Sequence, residues 1–345
     1  MGVATGVRAG VAAGVRAGVT TGVEAGVDPT SIAPPDPLTR RPAWTSSPER
    51  GSMLMLKLMT WLSLHCGRRL TRPIVYGISA YFLLLAPAAR RASRQYFRQL
   101  FGREPSWLDL YRHIIAFATS IHDRLYLLND RFDLFDIDIH NESLVLAAHD
   151  EGRGAFLMGA HMGSFELIHT LGRRRPGVRG AMVMYEENAR KINALMAAIN
   201  PTAQQDIIPL GRIDSMLIVR RALNDGVFVG VLGDRSFSDD TTVPISFLGL
   251  TAWLPSSPFR MAAVLQRSVI FMVGLYHGGN RYSVHFEPLA DFSETSREDR
   301  EQAVADAMRT YATLLEKYCR RAPYNWFNFF DFWQAPDAKK TKASR

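Results

Sequence analysis

The chain has little cysteine: Cys66 and Cys319 form neither a CxxC pair nor a spaced framework. That excludes a disulfide-stapled fold and a thiolate metal site, and points to a reducing compartment. There is no HExxH or facial carboxylate pattern, so no metal is expected, although His149 and His169 lie near His161 in sequence. A GxSxG elbow is missing, which argues against the common α/β serine hydrolases. The first residues lack the basic start, continuous apolar run and small-residue cleavage site of a secretory signal.

What is there suits a large folded domain. The 345 residues are 47% hydrophobic and 10% aromatic, enough for one large domain or one domain with a helical attachment. A net charge of +8 attracts phospholipid headgroups, nucleic acid or an acidic carrier protein. The basic residues fall in no nucleic-acid-binding motif, so nucleic acid is not an expected partner.

Residues 1–52 read as a disordered tail and linker: a Gly-Val step recurs every four residues from Gly2 to Val27, then Pro, Ser and Thr dominate. Translation beginning at or just before Met53 is the alternative reading. Residues 53–130 read as a hydrophobic and amphipathic helical segment that meets a membrane. Within it, Pro73 to Ala89 is uncharged over seventeen residues, at the lower limit for a span of about 20, so it reads as a spanning, embedded or core helix. Arg90, Arg91, Arg94, Arg98 and Arg103 then interleave with Tyr96, Phe97, Leu100 and Phe101, as in a basic helix lying on an anionic bilayer. A further helix is predicted over Pro105 to Asn129.

From Leu144 onward the pattern alternates. Strands are predicted at Gly154 to Gly159, Ala181 to Tyr185, Asp206 to Leu210 and Val227 to Leu232. Helices are predicted at Ser164 to Arg173, Asn188 to Ile199 and Ser215 to Asn224. A hairpin pairs Val269 to Tyr276 with Tyr282 to Glu287 through Gly278-Gly279-Asn280, and Arg297 to Arg321 closes as a helix. This predicts an α/β fold over residues 131–333: a central, largely parallel or mixed sheet flanked by helices, with an antiparallel edge near its end. Residues 334–345 read as a disordered basic tail.

The segment GAHMGSFE carries the chemistry. His161 ends a buried strand, at the rim where open α/β sheets collect ligands, and Glu166 enters the next helix five positions later. Gly163 permits a sharp turn, Ser164 caps the helix, and Glu166 is expected to fold back onto the imidazole as its orienting carboxylate. A histidine so held is a general base for a hydroxyl. In GVLGDRSF, Asp234 and Arg235 follow a strand on the same rim. They either pair with each other or act, Arg235 on an anionic group and Asp234 on the acceptor or the His161 loop. Pro255 and Arg260 stand at the start of a later helix, where a phosphate or thioester oxygen could bind. The aromatic run Tyr324 to Trp333 reads equally as core packing or as a wall for an acyl chain.

In this order, from about Trp61 to Trp333, these features resemble the late acyltransferases of bacterial lipid A biosynthesis, of the lysophospholipid acyltransferase superfamily. The resemblance rests on the H-x4-E pair of His161 and Glu166, the Asp234 segment, the FLG and Pro255 block and the aromatic run. It implies an enzyme at the cytoplasmic face of the inner membrane with His161 as base, Glu166 as its partner and Asp234 as active-site support. It further implies an acyl carrier protein or coenzyme A thioester as donor, a lipid or glycolipid acceptor, and no metal or bound cofactor. Glu186 stands near a position where the family often has arginine, with Arg190 as a substitute, and the aromatic run lacks the usual basic residues, so a divergent branch is implied. The alternatives are an ester or thioester hydrolase using the same pair, and a non-enzymatic protein binding anionic lipid.

Overall fold

The computed structural model describes residues 53–175, 177–185, 193, 196, 199–200, 206–211, 214–236 and 240–335. The expectations for residues 1–52, 336–345, Glu186, Arg190 and most of the helix Asn188 to Ile199 lie outside them.

Four helices lead in: α1 (Met53–Cys66), α2 (Arg68–Leu85), α3 (Pro87–Phe101) and α4 (Trp107–Leu127). Among the described residues no single helix is long and apolar enough to cross a membrane, although α2 and α3, bent by 91° at their junction, together reach the length and composition of a span. The uncharged stretch is therefore divided. Pro87 opens α3, where its missing N–H leaves no helix bond unmade. Helix α4 starts at a capping box: the Ser106 hydroxyl accepts from the Asp109 amide, and the Asp109 carboxylate accepts from the Ser106 amide. A buried polar cluster ties these helices to the rest. Arg68 donates two bonds to Asp123, at 2.7 and 2.8 Å, and Tyr282 donates a third at 2.7 Å.

The main body alternates: β1 (Asp136–His140), α5 (Ser143–Asp150), β2 (Phe156–Gly159), α6 (Phe165–Arg173), β3 (Gly180–Tyr185), β4 (Ile207–Leu210), α7 (Ser215–Asn224) and β5 (Phe228–Leu232). A separate hairpin of β6 (Thr242–Phe247) and β7 (Leu250–Pro255) precedes α8 (Ser257–Val264), β8 (Ser268–Tyr276), β9 (Arg281–Asp291) and α9 (Arg300–Arg321).

Seven described strands form one sheet in the order β1-β9-β8-β2-β5-β3-β4. All neighbours run parallel except β8 and β9. The expected antiparallel pair is present, but β9 is not the edge. Strand β1 lies outside it, and its sequence, Asp-Ile-Asp-Ile-His, is mostly exposed, as an edge strand tolerates.

The core has two faces because strand side chains alternate. Along β8, Val269, Phe271, Val273 and Leu275 enter the larger cluster, whereas Ile270 and Met272 enter the other. The larger cluster is sealed by α9, which brings Val304, Ala307, Met308, Tyr311, Ala312, Leu315, Tyr318 and Cys319 to one helical face. The opposite face is covered by Leu167 and Ile168 of α6 and Ala148 of α5.

Candidate active site

Strand β2 ends at Gly159, aligned with Leu232 at the end of β5. His161 and Asp234 each follow two residues later, so parallel register delivers an imidazole and a carboxylate to adjacent points on one rim. The Asp234 Oδ1 accepts from His161 Nδ1 at 2.8 Å, and its Oδ2 accepts from the His161 backbone amide at 3.0 Å. Trp326 Nε1 and Asn328 Nδ2 add further bonds to Oδ2 at 3.2 and 2.8 Å.

This surrounding decides the protonation. Burial alone would raise the Asp234 carboxyl, but His161, Arg235 and Asn328 outweigh it and hold the group well below the usual carboxylate range. An ionised Asp234 accepts only, so Nδ1 carries the ring proton and the Nε2 lone pair is left for substrate. Burial and the neighbouring Arg235 cation lower the His161 pKa, against the opposing pull of Asp234. The ring is therefore neutral at neutral pH, and with 30% of its side chain exposed it remains accessible.

The loop after β2 is held by close backbone approach. Gly163 has φ +63°, and a Cβ there would fall on the Gly274 carbonyl oxygen. The Ser164 amide donates to that same oxygen at 2.7 Å, and the Ser164 hydroxyl caps α6 by accepting from the Leu167 amide.

The sequence reading puts Glu166 on the imidazole; the structure places Asp234 at Nδ1. The Glu166 carboxylate, buried in the first turn of α6, forms an ion pair with Arg124 of α4 at 2.9 Å. The strand register explains the difference, because Asp234 arrives level with His161 while Glu166 already belongs to the helix.

Arg235 stands beside the pair. Burial lowers its guanidinium to about 10, and it donates to Asn328 Oδ1 at 2.7 Å and to the Phe327 carbonyl at 3.0 Å. Arg260 is engaged elsewhere, by both carboxylate oxygens of Glu301 at 2.7 and 2.6 Å. Pro255 ends β7 opposite Thr242, immediately before α8. Arg190 lies outside the described residues. Among those residues no group of three or more His, Cys, Asp or Glu is placed to hold a metal ion.

Sequence reasoning leaves the aromatic run between two roles and misses its polar members. The Phe327 amide donates to the His161 carbonyl at 2.7 Å, and the Gly163 amide donates to the Asn325 carbonyl at 2.8 Å. Met162 and Trp326 form a bridge between them. With Asn328 and Trp326 on Asp234, residues 325–328 form the back of the site. The signal is present as asparagines interrupting an aromatic run, since a buried amide needs a partner.

A family profile described as bacterial lipid A biosynthesis acyltransferase matches residues 122–335, more than half of the chain. Among solved structures, the chain is similar to the 1-acyl-sn-glycerophosphate (LPA) acyltransferase PlsC from Thermotoga maritima. The two are 14% identical, with a TM-score of 0.35, over 76% of this chain and 95% of that one. No curated protein matches.

Proposed function

Because the chain belongs to the bacterial lipid A biosynthesis acyltransferase family, an enzyme family that acylates lipids, we propose that it moves a fatty acyl group from a thioester to a hydroxyl with His161 as general base. The observation that carries this is the 2.8 Å bond from His161 Nδ1 to a buried carboxylate, which leaves Nε2 to the acceptor. Nε2 takes the hydroxyl proton as the oxygen attacks the thioester carbonyl carbon. The tetrahedral intermediate then collapses, the C–S bond breaks, and the imidazolium returns the proton to the leaving thiolate. Asp234 stays ionised throughout and stabilises the imidazolium. Glu166, on this reading, is a positioning residue that anchors the start of α6 to α4 through Arg124.

The donor is an acyl carrier protein or coenzyme A thioester, whose phosphopantetheine arm belongs to the donor, so the chain needs no cofactor of its own. The acceptor is a lipid or glycolipid. We place the enzyme at the cytoplasmic face of the bacterial inner membrane. Supporting that, Leu70, Ile74, Ile78, Tyr81, Leu84 and Leu85 of α2 are exposed, and contiguous apolar surface on this scale marks a membrane or protein contact.

The test supplies labelled acyl thioester with and without lipid acceptor. Acyl-lipid is expected only with acceptor and only with His161 intact. Full transfer by His161→Ala would end the proposal, and equal release of free acid in both arms would make the enzyme a hydrolase.

A further inference from the structure

The same rim of the sheet carries a second feature that the His161 pair does not use. A cavity of about 850 Å³ opens between α2, α4 and the β8–β9 turn, within the size range of small-molecule sites. Four arginines line it: Arg68, Arg69, Arg72 and Arg112. Arg68 is neutralised by Asp123, and Asp133, the one acidic residue of the lining among the described residues, is paired with Arg131. Arg72 donates to neutral oxygens, those of Gly279, Tyr76 and Tyr276. Arg112 lies against the Tyr324 ring, 5.9 Å from its centroid. Arg69 is exposed on α2.

The cavity adjoins the catalytic loop through Asn325. Its side chain exchanges two hydrogen bonds with the Tyr276 backbone, at 2.7 and 3.0 Å, while its carbonyl accepts from the Gly163 amide. A ligand seated there lies beside the residue that braces the His161 loop. Among the described residues no carboxylate forms an ion pair with Arg69, Arg72 or Arg112, and planar guanidinium forks match phosphate oxygens in bidentate fashion.

We propose that this arginine-lined cavity binds the phosphate group of an acyl-bearing substrate, a phosphate diester or diphosphate. The purpose assigned to the ligand rests on the acyl-transfer reading; its binding does not. Coenzyme A thioesters and phosphorylated lipids both carry this chemistry, and competition distinguishes them.

The experiment titrates inorganic pyrophosphate into the full chain in detergent, by calorimetry and by the shift in Tm. Binding is expected, weakening as salt is added. The double variant Arg69→Ala, Arg112→Ala is expected to bind about a hundredfold more weakly, roughly tenfold for each charge-assisted hydrogen bond removed. Both side chains are exposed, and the Arg69→Gln, Arg112→Gln pair repeats the measurement if the alanine pair fails to fold. Displacement by coenzyme A supports the proposal and assigns the phosphate to the donor. Displacement by phosphatidylcholine vesicles doped with phosphatidic acid supports it and assigns the phosphate to a lipid. His161→Ala is expected to bind pyrophosphate like the unsubstituted chain, so failure of the catalytic reading leaves this one standing. No pyrophosphate binding, equal affinity in the arginine variant, or binding that neither competitor displaces overturns it.

Discussion

Asp234 holds His161 twice, by ring and by backbone, because both residues lie two positions beyond the aligned ends of neighbouring parallel strands. The carboxylate thereby sets the tautomer of the imidazole and the path of the loop that carries it. Asp234→Asn is expected to reduce kcat about a thousandfold or more while the chain stays folded, since an amide can present the wrong hydrogen-bond partner to Nδ1. Near-normal turnover in that variant, with an unchanged circular dichroism spectrum, would remove Asp234 from the mechanism.

Glu166 is expected to behave differently. Glu166→Ala leaves the half-buried Arg124 without its carboxylate, and the loss should be about 3 kcal/mol in urea unfolding. A stable but inactive Glu166→Ala protein would return Glu166 to the imidazole.

The two carboxylates show how far the sequence can be read. Strand and helix positions follow from periodicity, and Ser215 to Asn224 is matched residue for residue by α7. Strand order does not follow, because nothing in β2 or β5 says that they are neighbours. Without that adjacency, Glu166 looks closer to His161 than Asp234, being five residues away rather than seventy-three. The same limit hides β1 as the outer strand. Asn325 and Asn328 are legible only as polar interruptions, since their partners come from distant parts of the chain.

The pH profile tests the surroundings of His161. Burial and Arg235 lower the His161 pKa, so the acid limb of kcat/KM should inflect below the ordinary value of 6.5. Arg235→Gln removes a nearby cation and should move that limb to higher pH. The sign for stability is also set: with a depressed folded-state pKa, the contribution of this group is present above the unfolded value and lost as pH falls through the folded one. An acid limb that stays in place in Arg235→Gln would show that the cation does not act on the imidazole.

Asp109 makes a separate prediction in acid. Burial would raise its carboxyl, but bonds from Ser106, Tyr324 and Arg103 outweigh this and lower it to about 2, from 3.8. Its stabilisation is thus complete above the unfolded value and is lost as pH drops from about 4 to about 2. Asp109→Ala should cost on the order of 2 kcal/mol at pH 7, and the deficit should shrink in that window. A deficit independent of pH in urea melts would contradict it.

Gly163→Ala tests the loop itself. Its positive φ and the Gly274 carbonyl leave no room for a methyl group, so the loss should exceed about 3 kcal/mol, read as a large drop in Tm or in soluble yield. Wild-type stability in this variant would mean that the loop can relax away from β8.

The back of the site comes from residues 325–328, which follow α9 and every strand of the sheet in chain order. A nascent polypeptide that has already laid down its sheet and α9 still has an Asp234 carboxylate that lacks two of its donors. The ribosome must carry synthesis past Asn328 before the Asp234 carboxylate that holds His161 has its full set of donors, so the site is completed only after the scaffold has been made.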